Sequence, residues 1–563
     1  MFSNLFSLYE HHDYLRKKIG KADFFFVGGC IRDALLGVKT TLDDLDITMV
    51  GQPWEIFSRV DNTDISLFKT DKFGTMTIIP HERKERKYEI TPFRTEGVYH
   101  DLRHPDEVHW TDDLIADSQR RDFTINALYA IVVDVPSLDN TVWKGVNEED
   151  ILSSFLKHSD KNGFAVSSEG ILIIQKHELI HRLFPRGILD HEELKKILTQ
   201  EKIITTISLI LLDPQKGFND LIERRLRAVG SPDQRLREDP LRILRALRII
   251  NILNQKLPHS FDFETQTRRS LKKNYYLISK LPKERVREEI VKVFKENNPF
   301  GYISLLDEIN VLKYIFPALY ATKGVHQPVR FHPFDVYAHT LLTLYNLQQF
   351  NDDYLVKLAM LYHDVGKTEQ YYYYSIGLNE DERKEAHGLW VNHVQCGVDF
   401  VHHDFTKLGF SNKEIDEVAR YVKRHMFPGE IVKGKHQNQA KKIKELLSEA
   451  WMEKLHNLLD ITRADRLGQM NSLQKPWLAD IDALDEMAKK IYENEGRFIM
   501  KNLAVDGNDL MAHFQLSPWP KVKKLLLQAF DRVLEDVKTR NEKEIILSHL
   551  RTFCGNDKKY KRK

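Results

Sequence analysis

The chain has 563 residues, 42% of them hydrophobic, and its formal net charge of +2 is the difference between 84 basic and 82 acidic side chains. This length and apolar content predict three or more domains with packed cores, which excludes an intrinsically disordered protein. Because the net charge is small, electrostatic binding of a nucleic acid must use local basic patches. Residues 264–295 form one patch, and the five basic residues within 558–563 are either a second patch or a solvated terminus.

Three cysteines, Cys30, Cys396 and Cys554, lie far apart in the sequence. Their odd number and wide spacing predict reduced thiols and no disulfide framework. The longest apolar runs fall short of the roughly 18 residues that a membrane span needs, and the N-terminal residues lack the basic start of a signal peptide. We therefore expect a soluble, cytoplasmic protein with no membrane partner.

The first third of the chain alternates short strands and helices. Residues 31–36 predict a helix closed by Gly37. Strands are predicted around it at residues 23–27, 45–50, 74–79 and 87–91, which gives a small mixed sheet. From about Asp213 onwards apolar residues recur at helical spacing almost to the end. The fold class predicted is α+β, with a small mixed-sheet head followed by a mainly α-helical body.

Two glycines precede the first predicted helix of the head. Gly28 and Gly29 allow the backbone to approach a phosphate group closely. The helix that follows offers free N–H groups and its positive end to phosphate oxygens. Arg32 can add a bidentate contact. The segment therefore predicts a triphosphate site.

A pair of carboxylates follows on the next predicted strand. Asp44 and Asp46 stand two residues apart, so both side chains leave the same face of the sheet. Such oxygen ligands suit two Mg²⁺ ions. A bare Asp-x-Asp pattern is more often a solvated turn, but the glycines before it favour the metal site. Glu89, on a nearby strand, is either a third carboxylate of this site or a paired surface residue.

Two later segments carry further polar groups with fixed spacing. Asp122 and Asn126 are four residues apart and share a face if their segment is helical; a helix cap is the alternative. Asp239 and Arg242 are three apart where a helix is predicted to begin. This acceptor and donor can meet the edge that cytosine and adenine share, unless the two residues only stabilise the helix. Arg245 lies three residues further along the same predicted helix, where its partner is either a phosphate or a neighbouring acid.

In their order and in their residues, these segments resemble the motifs of the bacterial class II tRNA nucleotidyltransferase and poly(A) polymerase family, which adds CCA or A residues to RNA 3′ ends without a template. The likeness covers about residues 20–130 and 213–320. It implies that Asp44 and Asp46 hold catalytic Mg²⁺, with Glu89 at a matching position. It also implies tRNA, CTP and ATP as partners, and a nucleotide site formed by Gly28, Gly29, Arg32, Arg121, Asp122, Asn126, Asp239, Arg242 and Arg245.

Two other stretches match the family, and one departs from it. Residues 97–105, with Asp101 and Arg103, resemble the flexible loop that accompanies the change from CTP to ATP. Residues 283–289 resemble a later helical motif that we take as mainly structural. Before the arginines, the usual Asp-Leu-Ala is replaced by residues 117–119, Asp-Ser-Gln, so a different local turn is expected.

A second constellation of histidines and aspartates follows between residues 339 and 465. Its order resembles the HD superfamily of metal-dependent phosphohydrolases, in which imidazoles and carboxylates bind divalent ions that activate water. The resemblance implies a metal site, taking Mn²⁺, Ni²⁺ or a similar ion, formed by His339, His363, Asp364, His393, His425 and Asp465. The alternative is a degenerate HD scaffold that only binds RNA.

These segments divide the chain into five predicted parts. They are a nucleotidyltransferase head (1–134), an inserted subdomain of unknown role (135–212), a helical nucleotide- and RNA-binding domain (213–325), an all-α HD domain (326–495) and a helical RNA-binding tail (496–563).

The function expected is CCA addition to tRNA, together with hydrolysis of 2′,3′-cyclic phosphates by the HD domain. A poly(A) polymerase or a partial CC- or A-adding enzyme is the first alternative. An RNA-end phosphohydrolase whose head only binds RNA is the second.

Overall fold

A computed structural model describes most of the chain. The residues outside it are 1–4, 6, 21, 39–42, 71–73, 98–106, 136–163, 167–170, 201–206, 297, 328–332, 370–392, 434–438, 450–451, 470, 517–520 and 557–563. The predicted loop residues Asp101 and Arg103 therefore lie outside the described residues.

A mixed sheet forms the centre of the head, and its described strands run in the order β3-β4-β5-β2-β1-β8-β11-β10-β9. Their bounds are β1 Phe24–Val27, β2 Asp44–Met49, β3 Ile65–Thr70, β4 Thr75–Pro80, β5 Lys87–Pro92, β8 Tyr129–Val135, β9 Phe164–Val166, β10 Ile171–Ile174 and β11 Ile207–Leu212. Two ribbons accompany the sheet, β6 Arg94–Glu96 with β7 Val108–Trp110, and β12 Arg225–Leu226 with β13 Asp262–Phe263. The four strands predicted from the sequence each correspond to an observed strand within one residue at either end.

Strand β2 carries the carboxylate pair at the centre of the sheet. It is antiparallel to β1 and parallel to β5. Leu45 is fully buried, whereas Asp44 and Asp46 are exposed on the opposite face. The register with β5 places Asp46 opposite Glu89. Alternation along the strand therefore puts both aspartates on one side, as the period of two predicts.

The described part of the inserted segment, residues 135–212, extends the sheet of the head. β11 pairs antiparallel with β8, β10 pairs parallel with β11, and β9 pairs antiparallel with β10. Two helices, His177–Leu183 and His191–Gln200, pack their apolar residues into the core of the head. The segment thus continues the head rather than folding around a separate sheet in the residues described.

The chain divides into two compact units. The first comprises Met1–Glu289 with Leu305–Val311, and the second Ile290–Ser304 with Leu312–Lys563. Besides the two helices of the inserted segment, the first unit contains helices Leu8–Ile19, Gly29–Leu36, Pro53–Arg59, Leu114–Gln119, Gly217–Ile222, Pro232–Glu238, Leu241–Lys256 and Thr265–Asn274. Helices Lys283–Lys295 and Pro299–Glu308 include the points of division.

The described residues of the second unit form helices and the loops that connect them. Its helices are Leu312–Ile315, Pro317–Ala321, Val336–Leu347, Tyr354–Tyr362, His393–Lys407, Asn412–Arg424, Phe427–Lys433, Gln439–Glu449, Met452–Leu467, Asn471–Glu495, Gly507–Phe514, Lys521–Val533, Val537–Arg540 and Lys543–Asn556. The last four pack around their own apolar core. None of the helices in the described ranges is long and apolar enough to cross a bilayer. The predicted α+β class with a mainly helical body is confirmed.

Candidate active site and metal centre

A pocket of about 550 Å³ in the first unit brings together nine of the residues predicted from the sequence. Those nine are Gly28, Gly29, Asp46, Arg121, Asp122, Asn126, Asp239, Arg242 and Arg245. Seven further residues complete the lining, and the sequence analysis did not name them as site residues: Arg94, Glu96, Arg120, Leu241, Glu284, Arg285 and Glu288. The pocket therefore brings together three segments that together span more than 200 positions of the sequence.

The glycine segment reaches the pocket through its backbone. Gly28 has φ +81°, a conformation in the region that favours glycine, and a Cβ there would lie 3.2 Å from Oδ2 of Asp46. Gly29 begins the helix Gly29–Leu36. Arg32, predicted to contact phosphate, instead donates to Asp33 and to Oδ1 of Asn126, the latter at 2.7 Å, and its side chain is buried. In this structure Arg32 holds Asn126 and is not a lining residue of the pocket.

Asp46 is the carboxylate that faces the pocket. Desolvation by the surrounding protein, followed by the negative charge of Glu89, raises its pKa to about 6, although its outer edge is open to the pocket. Asp44 adds to the same effect. Glu89 forms an ion pair with Lys87 on its own strand. An excess of negative charge at Asp46 favours a cation there, and the oxygen donors suit Mg²⁺.

Asp122 lies at the centre of a buried network beside the glycines. It accepts two hydrogen bonds from Arg245 and one from Nδ2 of Asn126 at 3.1 Å. Burial alone would raise the pKa of Asp122, but the Arg245 guanidinium lowers it well below its usual value. A short 3₁₀ turn, Thr124–Asn126, brings Asp122 and Asn126 together. The expected shared face is present, but a tight turn creates it and not an α-helix.

Asp239 and Arg242 both line the pocket, and each is held by a different partner. Asp239 lies between helices Pro232–Glu238 and Leu241–Lys256, in extended conformation. It accepts a bidentate pair of hydrogen bonds from Arg285, at 3.0 and 2.8 Å. Arg242 donates to Glu238 at 2.9 Å. The two side chains are therefore fixed side by side without bonding each other.

A polar cluster beneath Arg121 was missed by the sequence analysis. Asp117 is fully buried and accepts hydrogen bonds from Arg121 at 3.0 Å, Tyr129 at 2.7 Å and Arg120 at 2.8 Å. Burial raises the pKa of Asp117, but the two arginines lower it well below its usual value. The spacing of Asp117 four residues before Arg121 is the signal that would have indicated the pair.

The predicted flexible loop leaves the head beside the pocket. Its flanking strands, β6 and β7, pair antiparallel, and the amide of Gly97 donates to the carbonyl of Glu107 at 3.0 Å. Glu96, the last residue of β6, lines the pocket. The strand that leads into the loop therefore ends at the pocket, while Asp101 and Arg103 themselves are outside the described residues.

The second unit contains a separate cluster of metal-type ligands. In the part of the chain that the structure describes, two compact groups are found: His339, His363 and Asp465 in one, and Asp364, His393 and His425 in the other. All six side chains are buried. The six residues predicted from the sequence thus come together from helices Val336–Leu347, His393–Lys407 and Met452–Leu467 and from the ends of two others.

Asp364 joins the two groups. Its Oδ2 lies 3.3 Å from Nε2 of His363, and its Oδ1 lies 3.7 Å from Nε2 of His393 and 3.9 Å from Nε2 of His425. Asp465 lies 3.1 Å from Nε2 of His339. One carboxylate oxygen faces each group, which is the arrangement of a bridging ligand in a site for two ions.

The histidines of this cluster are oriented as ligands. Nδ1 of His363 and Nδ1 of His425 each lie 2.7 Å from a backbone carbonyl, of Met360 and Val422. A donated Nδ1–H leaves the lone pair of Nε2 for a metal, and the buried Nε2 of His363 makes no hydrogen bond, although Oδ2 of Asp364 lies 3.3 Å away. Burial and the neighbouring imidazoles lower the pKa of His425 to about 3, which keeps it neutral. The donor set therefore fits a divalent transition metal.

Family models match three stretches of the chain. They are the poly A polymerase head domain over residues 24–148, the probable RNA- and SrmB-binding site of polymerase A over residues 260–322, and the HD domain over residues 336–470. The first and the last correspond to the pocket and to the histidine cluster. The chain thus contains one stretch that matches a poly A polymerase head domain and another that matches an HD domain.

Curated relatives carry the name CCA-adding enzyme. The chain is 29% identical to that of Lactobacillus gasseri and 30% identical to that of Lactobacillus delbrueckii subsp. bulgaricus, in each case over 282 residues that make up 49% of this chain and 48% of the relative. The chain therefore spans about half the length of the curated relatives it matches.

Among solved structures, the Bacillus stearothermophilus CCA-adding enzyme in complex with CTP matches with a TM-score of 0.53 and 18% identity, over 99% of this chain and 100% of that one. This likeness supports the fold. The family models and the curated relatives confirm the predicted resemblance to the bacterial CCA-adding enzymes and poly(A) polymerases, with an HD domain in the same chain.

Proposed function

We propose that this protein adds CCA to the 3′ ends of tRNA from CTP and ATP without a template. The observation that carries the proposal is the single pocket in which the glycine segment, Asp46, the Asp122 network and the Asp239–Arg242 pair meet. A nucleoside triphosphate needs these three kinds of contact, to phosphates, metal and base. The proposed tRNA substrate also leads us to propose a cytoplasmic protein and an RNA-binding role for the tail, residues 496–563.

Asp44 and Asp46 would hold Mg²⁺, with Glu89 as a further carboxylate of the site. The raised pKa of Asp46 supports this assignment, because a bound cation offsets both the burial and the negative charge of Glu89 that raise it. When bound, Mg²⁺ supplies activation of the RNA 3′-hydroxyl and neutralisation of the departing pyrophosphate. The residues that remain have binding roles: Gly28 and Gly29 bring backbone amides to the triphosphate, and Arg121, Asp122, Asn126 and Arg245 surround its sugar and phosphates.

Asp239 and Arg242 would read the base. Cytosine and adenine both present an exocyclic amine beside a ring nitrogen, which matches one acceptor and one donor. Arg285 and Glu238 hold these two side chains in place before a nucleotide arrives, so little ordering is needed upon binding. Guanine and uracil present the reversed pattern: their carbonyl oxygen would face the acceptor Asp239, and their ring N–H would face the donor Arg242.

We also propose that the HD domain hydrolyses phosphate esters at damaged RNA ends, with 2′,3′-cyclic phosphate as its substrate. The two ligand groups bridged by Asp364 support a site for two ions, and the free Nε2 of His363 fits a ligand. Ions such as Mn²⁺ or Ni²⁺ supply an activated water when bound. Hydrolysis of the P–O3′ bond by that water leaves a 2′-phosphate and a free 3′-hydroxyl, which is the group that nucleotide addition requires.

Incubation of the purified protein with tRNA lacking its CCA end and with each labelled nucleoside triphosphate tests the first proposal. Two cytidines and one adenosine are the expected additions. A run of adenosines would favour a poly(A) polymerase, and an incomplete end would favour a CC- or A-adding enzyme. Hydrolysis of RNA ends without any addition would favour the RNA-end phosphohydrolase with a head that only binds RNA.

A further inference from the structure

One side chain at the end of β10 links the inserted segment, residues 135–212, to residues that support the predicted nucleotide site. Gln175 follows Ile174, the last residue of that strand. Its Nε2 donates to Oδ2 of Asp213 and to Oδ1 of Asn219, both at 2.6 Å. Asp213 is fully buried. A side chain of the segment thus bonds both a buried acid and the helix Gly217–Ile222 that follows it.

Asp213 fixes the start of that helix. Its carboxylate accepts from the amide of Gly217 at 2.6 Å and from the amide of Phe218 at 3.0 Å. Its own amide donates to the carbonyl of Ile174 at 2.9 Å. Burial raises the pKa of Asp213 to about 6, so each donor directed at the carboxylate, including Gln175, helps to keep it ionised.

The first residue of the helix Gly217–Ile222 is in direct contact with the turn that carries Asn126. A Cβ on Gly217 would lie 2.1 Å from the carbonyl oxygen of Thr124, so the two backbones are in the closest contact that glycine allows. The hydroxyl of Thr124 also donates to Asp220 in the same helix at 2.7 Å. Displacement of this helix must therefore displace the turn Thr124–Asn126, and with it the Asp122–Asn126 pair of the pocket.

An aromatic contact connects the segment to the other side of the same pocket. Phe184, from the segment, packs edge-on against Phe25 with ring centroids 5.6 Å apart, and Phe25 packs against Tyr129 at 6.4 Å. The hydroxyl of Tyr129 accepts from Arg121 at 2.8 Å. Two independent routes, one polar and one apolar, lead from the segment to residues that line the pocket.

We propose that the inserted segment is a support for the nucleotide pocket and that Gln175 is a positioning residue for the turn Thr124–Asn126. This inference rests on the proposed nucleotide site and assigns a role to a segment that lies outside the motifs. Gln175 acts through Asp213 and the helix Gly217–Ile222 and does not contact the nucleotide.

Two substitutions of similar length separate the hydrogen bonds of Gln175 from its packing. Gln175→Met removes both donors, whereas Gln175→Lys keeps donors toward Asp213 and Asn219. The affinity of the full-length protein for CTP and for ATP in Mg²⁺ is measured by equilibrium dialysis without tRNA. We expect Gln175→Met to weaken both affinities by about 2- to 30-fold, the range found for residues that act through packed neighbours. Gln175→Lys should retain most of the affinity.

A structural role without positioning has a different signature. It would lower the melting temperature and the active fraction of Gln175→Met and leave the nucleotide Kd and KM unchanged, which would overturn the inference. Arg182→Ala is the control within the segment, because Arg182 is exposed and pairs with Glu193 away from Asp213. It should leave both affinities unchanged.

The same binding measurement separates this inference from the proposed function. A wild-type protein that binds nucleotide but transfers none would overturn the proposed activity. A weaker nucleotide affinity in Gln175→Met would then still show that Gln175 positions the turn Thr124–Asn126. A wild-type protein that binds neither nucleotide would overturn both.

Discussion

Asp122 accepts two hydrogen bonds from Arg245, one from Nε at 2.8 Å and one from Nη2 at 2.6 Å, across 123 positions of sequence. This ion pair joins the head to the helix Leu241–Lys256, because Asp122 belongs to the strand-rich part and Arg245 to that helix. Asp122 also holds Asn126, so the pair connects two of the three motifs that line the pocket. Removal of the Asp122–Arg245 ion pair should lower the free energy of unfolding and weaken nucleotide binding.

Arg245→Met should destabilise the first unit. The Asp122 side chain is nearly buried, and an unpaired buried carboxylate costs about 1–3 kcal/mol or more. The Arg245 side chain is about one third exposed, so water offsets part of that cost and the lower end of the range applies. Urea unfolding at pH 7 measures the change. Arg225→Met, at an exposed ion pair with Glu223, is the control and should change the free energy of unfolding by less than about 0.5 kcal/mol.

The same ion pair predicts a pH dependence. The pKa of Asp122 is lowered in the folded state, so the pair stabilises the fold above the unfolded pKa of about 3.9 and this stabilisation is lost as the pH falls below it. The stability difference between the wild type and Arg245→Met should therefore be largest near neutral pH and should shrink below about pH 4. Chemical unfolding over a range of pH checks this. A difference that grows as the pH falls would contradict it.

Asp44→Ala or Asp46→Ala should abolish nucleotide addition and spare tRNA affinity, because these carboxylates would hold metal and not RNA. Loss of a metal ligand removes several kcal/mol of transition-state stabilisation, about 1,000-fold in rate or more. Single-turnover addition and tRNA binding by filter retention measure the two effects. Asp61→Ala, at an exposed aspartate that bonds Thr63, serves as the control with normal addition. Near-normal addition by either active-site variant would refute the assignment.

Arg242→Ala should lower discrimination against UTP and GTP more than it lowers triphosphate affinity. A lost base contact removes about 1–3 kcal/mol of discrimination, about 5- to 150-fold. Competition between labelled CTP and UTP in the addition assay measures it. Arg285→Ala should reduce discrimination as well, since it frees Asp239 from its bidentate partner. Unchanged nucleotide choice in Arg242→Ala would move base reading to other residues.

His363→Ala combined with Asp364→Ala should remove metal-dependent hydrolysis of a 2′,3′-cyclic phosphate and leave CCA addition intact. The double variant should also bind fewer Mn²⁺ or Ni²⁺ ions per chain, because it loses a ligand of one group and the bridging carboxylate. Metal analysis of the dialysed protein gives this second readout. His402→Ala, at an exposed histidine on the helix His393–Lys407, is the control. A wild type inactive with every divalent metal would favour a degenerate HD scaffold.

The parts of the site that follow from short-range patterns were predicted from the sequence. The period of two along a strand places Asp44 and Asp46 on one face. The cluster around Asp364 was instead predicted from its resemblance to the HD superfamily, because its members are spread over residues 339–465. The partners that hold these residues were not predicted. Arg285 bonds Asp239 from 46 positions away, and no spacing rule connects side chains of two separate helices.

The inserted segment illustrates the same limit at the level of the fold. Its strands β10 and β11 are apolar runs that were not predicted as strands, and such runs do not identify the neighbours of a strand in a sheet. Pairing of β11 with β8 brings the segment into the sheet of the head, and Gln175 then reaches Asp213. Tertiary contacts of this kind depend on which edge is available, and that is a property of the folded head.

Shortening the predicted loop at residues 97–105 should separate the two chemical steps of CCA addition. One pocket must accept cytosine twice and then adenine, a larger base with a similar hydrogen-bonding edge, so a mobile element has to reshape the pocket between steps. The loop begins at Gly97, next to Glu96 in the pocket lining, and it carries Asp101 and Arg103.

The expected product of the shortened variant is a tRNA that ends in two cytidines, with the final adenosine sharply reduced. Sequencing gels of a trimmed tRNA incubated with CTP and ATP resolve the two products. The paired strands β6 and β7 remain intact in this variant, so the head should keep its melting temperature. An equal loss of cytidine and adenosine addition with a lowered melting temperature would indicate damage to the head. The same equal loss with an unchanged melting temperature would show that the loop serves both steps and does not control the change of nucleotide.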